Sequence, residues 1–592
     1  MNVRFISDFN RAGTVLIQDN NGGWLKFSDP VKILTAHCPE DVIPLLEELD
    51  RLTGSGFSAA GFMCYEAARG IDRVYRVHDL EHMPCAWFGF YEEYERLGFL
   101  PATEETFSAN GWKASVTEEE FHRAAEKIRR HISSGDTYQV NYTIRLRTSF
   151  SGDPYAFFRS LADSQQAGNC AFLSIGDHIL CSVSPELFFD LAGRHITCRP
   201  MKGTVARGLT AGQDRENAEW LRTSSKNRAE NVMIVDMVRN DLGRTAVPGS
   251  IRPVSLFDIE RYPTVYQMTS TVKAEVDSGL TGIMKSLFPS ASITGAPKVR
   301  TMEIIHELEP EPRGIYTGTI GYVADGRARF NVSIRTVCLD TRTGRAEYGV
   351  GGGIVWDSDA SSEYAECLTK ADVLKKKRPR FRLLETILWE RGKGFFLLER
   401  HLQRIAGSAE YFGFNLPVEN IERSLEEAAE TFSGRTFTAR LLVDLGGAFE
   451  IERKKAPPVR RRKLNAGICP VPVDPGDPFL YHKTTNRGVY ERAAQTMPDC
   501  DDVILQNDRG ELTETTIANL VVELGGELVT PPATCGLLAG TFRGMLLDSG
   551  RITEKILRKE DLRRATGVYL VNSVRKWVSV GTVTDPADAA IQ

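Results

Sequence analysis

Six residues near the middle of the chain, Lys375-Lys-Lys-Arg-Pro-Arg380, limit its folding more than any others. Like charges repel along a helix and proline cannot continue one, so the helical pattern running through Ala371 has to stop there. The 592 residues are therefore read as two parts, 1–374 and 381–592, with 375–380 as a basic linker. A second basic stretch, Arg453 to Lys463, contains two prolines and no interleaved aromatics, so it reads as a hinge between two lobes of the second part rather than as a nucleic-acid patch. With 73 basic against 78 acidic residues the net charge is -5, which supplies no bias toward polyanions; nucleic acid is excluded as a partner. No apolar run reaches the roughly 18 residues that span a bilayer. The opening Met1 to Phe9 lacks the apolar stretch of a secretory signal, so the expectation is a cytoplasmic protein with no membrane partner. Its 11 cysteines are scattered singly without a C-x-x-C, which suits a reducing compartment and neither a disulfide frame nor a thiolate zinc site.

Both parts alternate between helical and strand periodicity, which predicts a layered mixed α/β (α+β) fold. Thr117-Glu-Glu-Glu120 is a capping box, and Phe121, Ala125, Ile128 and Ile132 then recur at helical spacing up to Ser134-Gly135. A strand follows from Tyr138 to Leu146. Its Tyr138, Val140, Tyr142, Ile144 and Leu146 share one face; Gln139, Asn141, Thr143 and Arg145 share the other. Further strands are expected over Ile315 to Val323, Arg329 to Leu339 and Gly567 to Asn572.

Several residues offer chemistry. Lys202, followed by Gly203, lies sixteen residues after Glu186 of Ser184-Pro-Glu186. A lysine beside glycine is ordinarily a turn residue with its ammonium in water. Its chemical reading requires a pocket where the free amine attacks carbon while a neighbouring carboxylic acid, Glu186, protonates a departing hydroxyl. On a helix spanning Asn227 to Arg239, Glu230 shares a face with Ile234 and Met237, which turns its carboxylate inward. Glu363, Glu366 and Lys370 fall at i, i+3 and i+7, on one helical face. That face is either an exposed ion-pair stripe or, together with Glu230, a set of hard oxygen donors of the kind Mg²⁺ favours. Gly349, Gly351, Gly352 and Gly353 would let backbone N–H groups approach an anion, or serve packing alone.

Residues 60 to 370 resemble the chorismate-utilising family, represented by the large subunits of anthranilate synthase and aminodeoxychorismate synthase. The resemblance is carried by Ala60 to Ala68, Gly135 to Asn141, Ser184-Pro-Glu186, Arg228 to Asp236, Arg239 to Arg244, Thr294-Gly-Ala-Pro-Lys298, Arg313 to Tyr316 and Gly351 to Val355. It implies a large α/β sandwich around a deep site, with Mg²⁺ on Glu230 and Glu366 supported by Glu363. It also implies substrate contacts to chorismate from Tyr316, Arg335, Gly351, Gly353 and the motif around Thr294. Lys202 stands where the C4-aminating branch carries lysine and anthranilate synthases carry alanine. The implied route has Lys202 add at C2 as the C4 hydroxyl leaves, with Glu186 as acid, before ammonia attacks C4 and expels the lysine. Gln139 stands where the water-using branch has a base lysine. Tyr266-Gln267-Met268 departs from relatives that have a histidine-leucine pair, so that histidine contact does not carry over. The chain has no Gly-x-Cys-x-Gly nucleophile segment, so ammonia comes from solution or from a separate glutamine amidotransferase subunit.

Residues 381 to about 580 resemble the fold-type IV pyridoxal-phosphate enzymes, a two-lobed family. The matching runs are Leu384-Glu-Thr386, His401-Leu-Gln-Arg404, His482 to Arg487, Leu512 to Asn519, Gly540-Thr-Phe-Arg543 and Val571-Asn-Ser573. Their resemblance implies that Lys483 bonds pyridoxal 5'-phosphate and shuttles a proton, that Glu514 faces the pyridine nitrogen, and that Arg404 and Thr541 hold the phosphate; relatives suggest a homodimer. Lyases and transaminases share these residues, and linkage to the first part favours the lyase. The two resemblances together imply synthesis of 4-aminobenzoate. An anthranilate-type synthase fused to a transaminase is the nearest rival, and a non-catalytic scaffold for a glutaminase is the third reading.

Overall fold

The computed structural model describes residues 9–374, 379–431, 434–457 and 462–586. The first four residues of the expected linker, 375–378, and part of the expected hinge, 458–461, lie outside the described residues. Two compact units emerge: Met1–Ala206 with Ala218–Arg378, and Arg207–Asn217 with Pro379–Gln592. Residues 207–217 group with the second unit, apart from the residues that flank them in the chain. There Arg207 pairs with Asp214 at 2.6 Å and donates to the Tyr411 carbonyl at 2.6 Å.

In the first unit, helix α1 (Glu118–Ser133) starts as the capping box predicts. Glu120 N–H donates to Thr117 Oγ1 at 3.3 Å and Thr117 N–H donates to the Glu120 carboxylate at 2.8 Å, so two otherwise orphaned donors are satisfied. Losing such a cap costs about 1 kcal/mol. Strand β1 (Gln139–Ser149) packs Val140, Tyr142, Ile144 and Leu146 against Phe121, Ala125 and Ile128 of α1. Each of the Val, Ile, Leu and Phe side chains among them contributes roughly 1.5–3 kcal/mol when buried. The strand begins one residue later than expected, leaving Tyr138 exposed, and its polar face is buried too.

Four more elements frame the site: β2 (Met201–Ala206), α2 (Ser225–Leu242), β3 (Val265–Glu275) and β4 (Arg345–Ile354), followed by α3 (Ala360–Lys370). Among the described residues there are two ten-stranded sheets, one holding β1 beside β4 and the other β2 beside β3. An apolar layer drawn from both sheets, including Val15, Phe27, Phe62, Tyr91, Leu173 and Tyr322, lies between them. Helices cover the outer faces: α1 packs on the first sheet's cluster, and α2 supplies Val235, Val238 and Leu242 to the second's.

The strand expected over Arg329 to Leu339 is two strands in two sheets, Arg327–Val332 and Thr336–Asp340. The chain crosses between sheets at Ser333 to Arg335, with Arg335 at φ 50. A similar crossing at Pro185-Glu186 joins His178–Ser184 of one sheet to Leu187–Ala192 of the other. The two crossings adjoin, since Val332 N–H donates to the Glu186 carbonyl at 3.1 Å and Ser184 Oγ to the Val332 carbonyl at 2.6 Å. The strand expected from Ile315 begins instead at Thr319, after a turn with Thr317 at φ 63.

The second unit has a four-stranded lobe containing β5 (Leu383–Glu390), covered by α4 (Leu398–Phe412), whose Leu402, Ile405 and Ala409 meet Leu383 and Ile387. Its other lobe is an eight-stranded sheet holding β6 (Leu512–Thr515). The pairing of β6 with Asn519–Leu524 closes six of these strands into a barrel, beside which runs α5 (Thr541–Asp548). The expected strand Gly567–Asn572 is present with those bounds. No helix of the described residues is long and apolar enough to cross a membrane.

Candidate active sites

The first unit's site is a cavity of about 340 Å³ at the two sheet crossings. Lys202 reaches it because β2 pairs irregularly with β3 between Met201 and Thr204, and Gly203 at φ 105 turns the backbone. Asn231 of α2 pins that turn by donating to the Lys202 carbonyl at 3.2 Å. Lys202 Nζ lies 3.7 Å from the Glu230 carboxylate, with its side chain 17% exposed.

Glu186, on the adjoining crossing, is buried in the same cavity wall. Burial pushes its carboxyl up to about 7, against the pull of the Ser292 hydroxyl at 2.6 Å, the Met201 backbone N–H and the Lys202 charge. It therefore holds a proton over part of the neutral range, as an acid for a leaving hydroxyl requires.

Gly353 has a specific reason to be glycine: a Cβ there would stand 2.6 Å from Lys202 Nζ and 2.7 Å from Gln139 Nε2. The missing side chain leaves room for both groups. Gln139 is fully buried, and neither of its amide atoms has a hydrogen-bond partner in the chain. Gly349 gives way to the Tyr316 ring, while a Cβ at Gly351 would meet the neighbouring strand. Gly351 also accepts a hydrogen bond from Lys370 Nζ at 3.0 Å.

Arg335 is half-buried at its left-handed crossing, where its Nη1 donates to Gln165 Oε1 at 2.6 Å. No carboxylate of the described residues pairs with it. A half-buried guanidinium with no carboxylate partner, lining a cavity, suits a ligand carboxylate. Tyr316 lines the same wall. Thr294 does not: it is fully buried, its hydroxyl turned to the Ser290 and Ala291 carbonyls, and it is Ser292 and Ile293 of that segment that reach the cavity.

Glu230, Glu363 and Glu366 also line the cavity. Glu363 is raised by burial and accepts from the Ser358 hydroxyl at 2.7 Å; Glu366, whose side chain is 48% exposed, is held low by Lys370 at 2.8 Å against partial desolvation. The stripe expected on α3 therefore faces the cavity and is also an ion pair. Among the described residues no three acids converge closely enough to hold a metal ion as they stand. As a donor set, carboxylate oxygens from α2 and α3 around one cavity fit a hard cation such as Mg²⁺.

In the second unit Lys483 follows His482 on a segment tied to β5 by the Leu384 N–H to Lys483 carbonyl bond at 3.1 Å. Although its side chain keeps some access, its surroundings are dry. Desolvation lowers its ammonium to about 8, helped by the Arg404 charge. Glu514 of β6 is buried, and burial raises it to about 7. Its carboxylate accepts from Tyr490 Oη at 2.8 Å, the Leu538 N–H at 3.0 Å and Asn519 Nδ2 at 3.2 Å.

Thr541 opens α5, where unpaired backbone N–H groups favour an anion. Arg404 reaches this loop, with Nη1 3.4 Å from the Ala539 carbonyl. Its fork, however, is committed: Nε and Nη2 donate to the two oxygens of Glu385 at 2.8 and 2.7 Å. Burial opposes ionisation of Glu385, yet Arg404 and His401 hold it well below the usual carboxylate range. His401 spans Glu385 at 2.7 Å and Thr541 Oγ1 at 3.3 Å. Glu385, His401 and Tyr490 lay within or beside matched runs of the sequence, but their pairing joins separate elements and was not foreseen. A desolvated amine, a protonatable acid and a cationic helix start fit a pyridine aldehyde phosphate.

Residues 98–376 match the family described as chorismate binding enzyme, and residues 382–583 match amino-transferase class IV. The chain joins a chorismate binding enzyme domain to an amino-transferase class IV domain. Among relatives, aminodeoxychorismate synthase component 1 of Salmonella typhimurium is 41% identical over 266 residues, covering 44% of this chain and 58% of that protein. Anthranilate synthase component 1 of Cereibacter sphaeroides is 36% identical over 326 residues, covering 54% and 61%. The chain thus spans about six-tenths of the length of these relatives. Anthranilate synthase component I from Streptococcus pneumoniae, a solved structure, shares the first unit's fold with TM-score 0.51 and 24% identity, covering 62% of this chain and 91% of that one.

Proposed function

We propose that the chain converts chorismate to 4-aminobenzoate in two stages, one in each unit. The observation that carries the reading is Lys202 Nζ beside Glu230 in a cavity that also holds a buried, protonatable Glu186. In the first stage the Lys202 amine bonds to C2 while the C4–O bond breaks, and Glu186 gives its proton to the departing hydroxyl, which leaves as water. The carboxylate so formed takes a proton from the lysine nitrogen. Ammonia then bonds to C4, the C2–N bond breaks, and Lys202 recovers a proton as it leaves. The net change replaces hydroxyl by amine at C4. Arg335 and Tyr316 orient the substrate, and Gln139 offers a neutral amide where a base would activate water.

Mg²⁺ would be held by Glu230 and Glu366 with Glu363 in support; when bound it supplies positive charge for a substrate carboxylate. Ammonia is drawn from solution or from a separate glutamine amidotransferase subunit, in keeping with relatives named as component 1.

In the second stage Lys483 takes a proton from the ring carbon bearing the amine, the bond from the ring to the enolpyruvyl oxygen breaks, and pyruvate leaves as the ring becomes aromatic. Pyridoxal phosphate, when bound, supplies the electron sink for this elimination. Glu514 holds a proton toward its ring nitrogen, while Thr541 and the start of α5, braced by the Arg404–Glu385 pair, hold its phosphate. Lyase rather than transaminase is favoured by the union of both domains in one chain. The test is mass spectrometry of products from chorismate, ammonium, Mg²⁺ and pyridoxal phosphate, with each cofactor omitted in turn. The reading expects 4-aminobenzoate and equimolar pyruvate. Formation of 2-aminobenzoate, or amino transfer from D-alanine without pyruvate release from chorismate, would overturn it.

A further inference from the structure

One polar atom in the first unit's cavity has no task in the steps above. Gln267 lines the cavity, is only 8% exposed, and has a side-chain oxygen that is buried without any hydrogen-bond partner in the chain. It sits on β3 opposite Thr204 of β2, just beyond the irregular turn that delivers Lys202. Across its other edge lies Glu260, which is occupied with Arg199, Tyr262 and Thr269 and has no hydrogen to give as a carboxylate. An apolar residue would fill this position without stranding an acceptor, so the stranded oxygen is informative: burying an unpaired carbonyl costs stability unless a ligand supplies the missing donor.

We propose that Gln267 is a positioning residue whose side-chain oxygen accepts a hydrogen bond from the X–H group carried at the carbon undergoing exchange. The inference rests on the proposed amination of chorismate. Two sources share that chemistry, the ring hydroxyl that departs and the ammonia that arrives. An amide oxygen accepts from either, and an amide is too weak an acid to give up a proton, so Gln267 orients the group and leaves acid work to Glu186.

Gln267→Met keeps the length of the side chain and removes the acceptor. The test measures kcat, the KM for chorismate and the KM for ammonium on the full chain, together with its thermal midpoint. Losing one neutral hydrogen bond corresponds to about a three- to tenfold rise in KM. The expected result is such a rise for one substrate with kcat within about twofold. The thermal midpoint should hold or increase, because no internal hydrogen bond is lost. A rise confined to chorismate assigns the hydroxyl, and one confined to ammonium assigns ammonia. Unchanged KM values for both, or a lowered midpoint with binding intact, would overturn the proposal. Wild-type protein that consumes no chorismate with ammonium would fail the amination reading itself, which separates the two failures.

Discussion

Replacing Glu186 by glutamine should stabilise the protein at alkaline pH while disabling it. In the native state burial raises this carboxyl from 4.5 to about 7, so the folded chain binds its proton more tightly than the unfolded chain does. The resulting stability is fully present below pH 4.5 and is lost as pH rises through about 7. Above that range the folded protein must hold a buried carboxylate, at a cost of roughly 3 kcal/mol by the equivalence of 1.36 kcal/mol per pH unit. Glutamine keeps the shape and an acceptor for the Ser292 hydroxyl without the charge. The variant should match wild type near pH 4.5 and exceed it by roughly 3 kcal/mol at pH 8. For a unit of this size that is about 4 °C in thermal midpoint. Calorimetry of both proteins across pH 4.5–8 at one scan rate reads this directly, and kcat for chorismate consumption should fall by about 10²–10⁴. A midpoint difference that is flat with pH, or that favours wild type at pH 8, would refute the burial argument.

Lys202→Ala should abolish 4-amino product; full retention of it in the product mixture would end the covalent route. Gly353→Ala places a methyl 2.6 Å from Lys202 Nζ and 2.7 Å from Gln139 Nε2, so kcat for chorismate should drop by about 10² while circular dichroism stays native. In the second unit, aldehyde labelling of Lys483 in cofactor-free protein should be half-maximal near pH 8, because the desolvated ammonium gives up its proton there; a midpoint near 10.5 would contradict the dry environment. Lys483→Ala should lose the long-wavelength absorbance of the pyridoxal-phosphate-loaded protein and let the aminated intermediate build up.

What could be read from the sequence was local, and what could not was set by residues far apart in it. The capping box fixed the start of α1, and the alternation after Gly135 sorted β1 into an apolar face and a site face, because both signals depend only on neighbours along the chain. The same logic failed over Arg329 to Leu339, where continuous strand propensity hides a change of sheet at Arg335. The need for glycine at 353 is equally invisible in one dimension, since the groups that exclude a side chain come from Gln139 and Lys202, more than 150 residues upstream. In the second unit Arg404 was legible as a cation near the phosphate cradle. Its commitment to Glu385 was not, and this changes what the arginine does. With two donors spent on a carboxylate that His401 also grips, Arg404 behaves as one arm of a clamp joining β5, α4 and the start of α5. Rigidity of that clamp, more than a free guanidinium fork, is then what presents Thr541 and the helix start to an anion.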